Sequence, residues 1–192
     1  PNLWRLLDWI ETQGDKMNPH MRIAINSNLG AKQSIIDRFK SKLKGFKNFH
    51  LYTSMEATHK QGEYIRDGLD YTEWFSNFLH MMVDKVPLEI HNMCTINALC
   101  LESLPQLLEK MVWFKGASKV YGPKINYTLN ILRFPSFQSP LVLPDDLRNK
   151  FKLDLVKFLN TNEKHLEHME INQTQRLIDY LDVVKTPHAG AA

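Results

Sequence analysis

Two hydrophobic periods alternate along the chain. Leu3, Trp4, Leu6, Leu7 and Ile10 recur at helical spacing, with Asn2 placed to cap the start and Gly14 to end the helix. Arg22–Asn26, RIAIN, is short and β-branched and predicts a strand. Gln33–Leu43 puts Ile35, Ile36, Phe39 and Leu43 on a helical face, and Asn48–Thr53 predicts a second strand. Tyr71–Val83 predicts a helix, Pro87–Cys94 a strand, Ser103–Phe114 a helix capped by Ser103, and Ile125–Leu132 the last strand. Asp145–Leu159 and Glu163–Val184 are helical in period, and Pro187 with the Ala/Gly end is expected to fray.

Four strands, each following a helix, imply a parallel α/β sheet with right-handed crossovers. A closed eight-fold barrel takes about 250 residues, and the chain has 192. A small doubly wound sheet and a piece of a larger open barrel both remain. In either, ligands gather at the carboxyl ends of the strands.

Composition narrows the class without choosing a function. The 43% hydrophobic and 23% charged residues are those of a globular domain. A net charge of +3 is too small to imply nucleic acid or an anionic membrane. The two cysteines, Cys94 and Cys100, cannot make a disulfide framework or a complete iron–sulfur ligand set. Their spacing favours two buried, reduced thiols. There is no apolar run of membrane-helix length and no signal-like front, so neither membrane nor nucleic acid is an expected partner and the cytoplasm is the default location.

The residues after each strand are the candidates for chemistry. Asn26-Ser27-Asn28-Leu29-Gly30 suits a tight turn that lets a ligand approach the backbone, or is a plain strand-to-helix loop. Ser54 and Glu56, two apart, share a side of an extended chain and can meet hydroxyls or an amino group. A loop then runs through Gly62 to Gly68, where Arg66 offers a fork for a carboxylate or else pairs with Glu63 or Asp70. Asn97 follows the third strand and can bond a ligand or cap a turn. Phe134 and Phe137, among three prolines at 135, 140 and 144, form a loop that lines a pocket or completes the core. In a barrel, His91 and Met93 are the candidates to face the interior and touch a substrate. His165, Glu167, His168 and Glu170, like Lys40, Lys42, Lys44 and Lys47, predict solvated faces. Phosphate-loop, dinucleotide-turn and nucleophile-elbow motifs are absent.

The run SMEATHKQGEYIRDGLDYTEWFSN, Ser54–Asn77, resembles the central signature of radical S-adenosylmethionine (radical SAM) enzymes, in the branch that often carries a C-terminal twitch-type extension. There a strand ends in Ser-x-Asp/Glu-Ala, and a loop leads to Glu-Tyr-Ile-Arg-x-Gly and an aromatic-rich helix. Ile25–Gly30 resembles the family's Thr-Asn-Gly strand end, with Ser for Thr and an inserted Leu. Pro1–Leu7 is similar to the helix after its Gly-Gly-Glu-Pro segment.

The resemblance implies a partial, open TIM-like β/α barrel over 1–144, holding the last four strands of six, and a C-terminal helical extension over 145–192. It implies S-adenosylmethionine as cofactor: Ser54 and Arg66 toward its carboxylate and ribose, Glu56 toward ribose hydroxyls, Ser27 and Asn28 toward the methionine end, and Asn97 toward adenosine. It also implies a [4Fe–4S] cluster whose Cys-x3-Cys-x2-Cys ligands belong upstream of Pro1. In the whole enzyme, one-electron cleavage of the sulfonium gives a 5′-deoxyadenosyl radical that takes hydrogen from a small-molecule or peptide substrate. A degenerate barrel acting as a binding module, self-associating through an exposed barrel edge, is the alternative. An unrelated α/β hydrolase or sugar-binding domain is the third reading.

Overall fold

A computed structural model describes residues 2–16, 18, 20–120 and 122–183. The helices are α1 (Asn2–Gln13), α2 (Gln33–Leu43), α3 (His59–Ile65), α4 (Tyr71–Val83), α5 (Leu104–Ser118), α6 (Asp145–Asn162) and α7 (His168–Leu181). The strands are β1 (Ile23–Asn26), β2 (Phe49–Ser54), β3 (Glu89–Ile96) and β4 (Lys124–Ile131). All neighbours in the sheet are parallel and the order is β1-β2-β3-β4. A doubly wound sheet reverses its strand order, and this one never does.

That order has a consequence for layering. Right-handed crossovers that always step in one direction put every connecting helix on the same face. Burial agrees. Phe49, Leu51, Ile90, Cys94, Ile96, Ile125, Tyr127 and Leu129 point to one side and are buried in the core with Trp74, Phe78, Leu107, Leu108, Met111 and Phe114. The alternate positions are His50, Tyr52 and Ser54 on β2 and Glu89, His91, Met93 and Thr95 on β3. They share the other face, which is polar and partly or wholly exposed.

The two sheet edges differ. At β4, α7 stands where a fifth strand would be. Glu170 accepts from the Tyr127 backbone N–H (3.0 Å), Gln173 from that of Leu129 (2.6 Å), and Arg176 donates to the Leu129 carbonyl (2.7 Å). Spacings of three residues put these side chains on one helical face. At β1, Ile23 and Ser27 donate backbone N–H groups to Asn48 and Tyr52 on the β2 side. Ala24 and Asn26 alternate with them and are exposed, and no described strand pairs with that edge.

Several boundaries shift from the sequence expectation. The third strand begins at Glu89 and not Pro87, since proline cannot donate to a ladder, and it runs on to Ile96. The segment expected as a loop from 58 onward contains α3. Gly62, read as a loop residue, lies inside this helix, where a Cβ would stand 2.9 Å from the Ala57 carbonyl oxygen. It is there for close packing. Ser103 precedes α5, but its hydroxyl accepts from the Thr58 N–H (3.0 Å) and does not cap the helix. The last helical region divides into a short 3-10 turn at Glu163–His165 and α7. Its expected end at Val184, and the fraying from Pro187, lie outside the described residues. Glu170, expected on a solvated face, is fully buried and paired with Lys115. Lys40 and Lys42 are also less solvated than expected, each bridging two carboxylates.

Candidate functional site

The residues singled out at the strand ends gather along the carboxyl edge of the sheet, each fixed differently. After β1, the Ser27 hydroxyl accepts from the Leu29 N–H (3.1 Å) and the Asn28 side-chain oxygen Oδ1 from the Gly30 N–H (3.1 Å). These two local turns shape the loop and hold buried Leu29 at φ 50°, in the left-handed region that leucine rarely adopts. Asn77 on α4 clamps the loop from behind, donating to the carbonyls of Leu29 (2.7 Å) and Ala31 (2.9 Å). The turn engages the Asn28 side-chain oxygen and leaves its amide nitrogen without a partner among the described residues.

After β2, Glu56 and Arg66 meet. Arg66 donates from Nε (2.6 Å) and Nη2 (2.5 Å) to the two oxygens of Glu56, a bidentate fork. The Thr95 N–H adds a third bond to the carboxylate (3.3 Å). The Glu56 side chain is 4% exposed and that of Arg66 29%. Glu56, expected to reach ribose hydroxyls, therefore has both oxygens engaged inside the protein and sets the plane of the guanidinium. Neither surface partner proposed for Arg66 is used. Glu63 accepts from the Tyr71 N–H (3.1 Å), and Asp70 caps α4 by accepting from the Glu73 N–H (3.0 Å). Strand β2 ends at Ser54, so strand alternation does not extend to Glu56, and the Ser54 hydroxyl has no partner among the described residues.

Arg66 and Asn28 line one cavity of about 250 Å³, with Gly30, Asp67, Gly68 and Leu69. Gly68, at φ 77°, makes the turn that closes it. Ser54, Ser27 and Asn97 are outside this lining. Asn97 forms its own turn, accepting at its side-chain oxygen from the Leu99 N–H (2.9 Å). The loop after β4 is tied to it, since the Gln138 carbonyl accepts from the Ala98 N–H (2.9 Å). Phe134 and Phe137 in that loop are exposed, so they do not complete the core.

The cysteines do not fit a cluster. Cys94 and Cys100 are buried. Burial pushes both thiols up, Cys100 to about 12 even with the Asn97 N–H bonded to its sulfur, which disfavours the thiolates that metals need. Among the described residues, no three His, Cys, Asp or Glu side chains come together as a metal site.

A second polar group, missed as a cluster in the sequence, lies on the bare face of the sheet. His50 Nδ1 is 3.0 Å from Glu89, and Asn126 donates to the same carboxylate (2.5 Å). Burial raises the Glu89 pKa, but the bonds from Asn126 and His50 outweigh it and leave the carboxyl below its ordinary value. Burial lowers the pKa of His91, whose Nε2 is 3.2 Å from the Thr128 hydroxyl. Arg22 reaches the Tyr52 hydroxyl (2.9 Å). The signal was the two-residue alternation of His50 and Tyr52 with Phe49 and Leu51, which marks one wet and one dry face.

No family model matches the chain, and neither a curated protein nor a solved structure matches it significantly. No described helix is long and apolar enough to cross a membrane.

Proposed function

We propose that this chain is the S-adenosylmethionine-binding, carboxy-terminal part of a radical SAM barrel, acting with an upstream half that holds the [4Fe–4S] cluster. The observation that carries the reading is the Glu56–Arg66 fork beside Asn28, inside the run with the family signature. Glu56 occupies Nε and Nη2, which leaves Nη1 of Arg66 to donate to the carboxylate of an amino-acid ligand. Asn28 adds an amide N–H to the same end. Ser54, whose hydroxyl has no partner among the described residues, lies at the end of β2 to meet a ribose, and Asn97 is assigned to the adenosine side.

With one electron from the cluster of the upstream half, bound S-adenosylmethionine would supply radical hydrogen abstraction from a small-molecule or peptide substrate. The residues of this chain bind and orient it and keep water from it. A one-faced sheet supports the architecture, because a barrel has helices outside and side chains inside. The open β1 edge is where preceding strands would pair. The cysteines give no support for a cluster on this chain, and no step here passes through one.

The test is calorimetric titration of S-adenosylmethionine into the chain with its upstream half restored. Saturable heat that weakens on Arg66→Ala supports the reading, and no heat removes it. The open β1 edge also favours the second reading, an interaction module that pairs copies strand to strand. Sedimentation of the chain alone as a concentration-independent monomer argues against that one.

A further inference from the structure

The bare face of the sheet carries a cation without an acidic partner. Arg22 precedes β1, is exposed, and forms no ion pair among the described residues. Its Nη2 donates to the Tyr52 hydroxyl (2.9 Å) and lies 3.3 Å from His50 Nδ1. Because the Tyr52 oxygen accepts from Arg22, its own O–H remains available to donate elsewhere. The other charges on this face are accounted for: Glu89 is held by His50 and Asn126, and Lys124 is paired with Glu167 at 3.4 Å.

Around Arg22 the surface forms a groove. Arg22 just before β1, Ala24 and Asn26 from β1, Tyr52 from β2 and Met93 from β3 line a shallow, wide-open depression of about 560 Å³, a volume in the range of small-molecule sites. Ala24 is short enough to leave floor space between the two polar ends. A guanidinium fork and a phenolic O–H suit the oxygens of a carboxylate or phosphate. Ala24 and Met93 suit a short apolar body, and Asn26 a polar group at its far end, toward the carboxyl edge where the cofactor is proposed to sit.

We infer that this groove is a substrate site for a small organic anion, with Arg22 and Tyr52 gripping its carboxylate or phosphate. This extends the proposed function by naming a substrate class, and it rests on that reading only for the word substrate. Anion binding itself needs only the groove.

The experiment follows the Arg22 Nε–H and Tyr52 ring signals by NMR in the purified chain at constant ionic strength. Sodium phosphate, sodium glutarate and sodium chloride are titrated separately. The inference expects saturable shifts of both residues with phosphate, glutarate or both, and none with chloride. Phosphate alone assigns a phosphate ester, and glutarate alone a carboxylic acid. Arg22→Gln should weaken the response about tenfold, the scale of losing one charged hydrogen bond, and Arg22→Lys should restore part of it. Because Arg22 is exposed, these variants fold, which an unchanged circular dichroism spectrum verifies. Shifts that never saturate, or that are unchanged in Arg22→Gln, overturn the inference. Anion shifts that persist where S-adenosylmethionine gives no heat sink the cofactor reading and leave this site standing.

Discussion

Arg66 and Glu56 depend on each other. Replacing Arg66 with alanine leaves a buried carboxylate held by the Thr95 N–H but without its cation, so the loss should be about 1–3 kcal/mol of stability, read as a lower urea midpoint. An unchanged midpoint would mean that the fork does not hold in solution. Under the proposed function, the same variant in the full barrel should weaken S-adenosylmethionine binding by about 1.5–3 kcal/mol. His91 makes a pH prediction. Burial depresses its pKa, so the unfolded chain takes up a proton more readily near its ordinary value of 6.5. Its contribution is therefore full above pH 6.5 and is lost as pH falls through the lower, folded value. Urea midpoints measured at pH 7.5 and 5.5 should fall, and His91→Asn should flatten that fall. The buried thiols of Cys94 and Cys100 should resist a disulfide reagent in the native chain and react in urea. Rapid native labelling would show that the core is open there.

At the scale of elements, α7 does the work of a strand. Glu170 serves three donors at once: Lys115, the Tyr127 N–H, and the Glu167 N–H of its own capping box. Glu170→Ala should cost about 3–5 kcal/mol, because it strands a half-buried lysine and reopens an edge, and a thermal midpoint close to that of the unaltered chain would refute this. The sequence showed α7 as a periodic segment but not this role, since a glutamate beside histidines looks the same in water as against a sheet edge. Elements α2 and α4 were legible to the residue because an uninterrupted apolar period and definite ends mark them. Element α3 was not, since glycine and short length carried the signal of a loop. Legibility at the candidate site was of the same mixed kind. The strand ends were readable, and so was Arg66 as a fork. Its partner was not, because Glu56 lies ten residues away with a helix folded between them, and proximity in sequence favoured Glu63 and Asp70.

For the whole molecule, the contrast between its two edges is the main architectural fact. One is closed by α7 with side chains in place of a strand, and the other presents Ala24 and Asn26 with no described partner. Helix α1, packed against α2, exposes Leu6 and Trp9, so strand and helix alike have a side suited to a further βα unit. A polar face enclosed by such a unit becomes a lumen, and the groove at Arg22 then lies beneath the loops that hold Arg66 and Asn28. The proposed function makes this sheet the later part of a radical SAM barrel. It is tested most directly by reading the coding sequence on the amino-terminal side of Pro1. An open frame encoding Cys-x3-Cys-x2-Cys after one strand and Gly-Gly-Glu-Pro after the next is the expected result. A frame that runs through that region without either motif, or that stops before it, would contradict it.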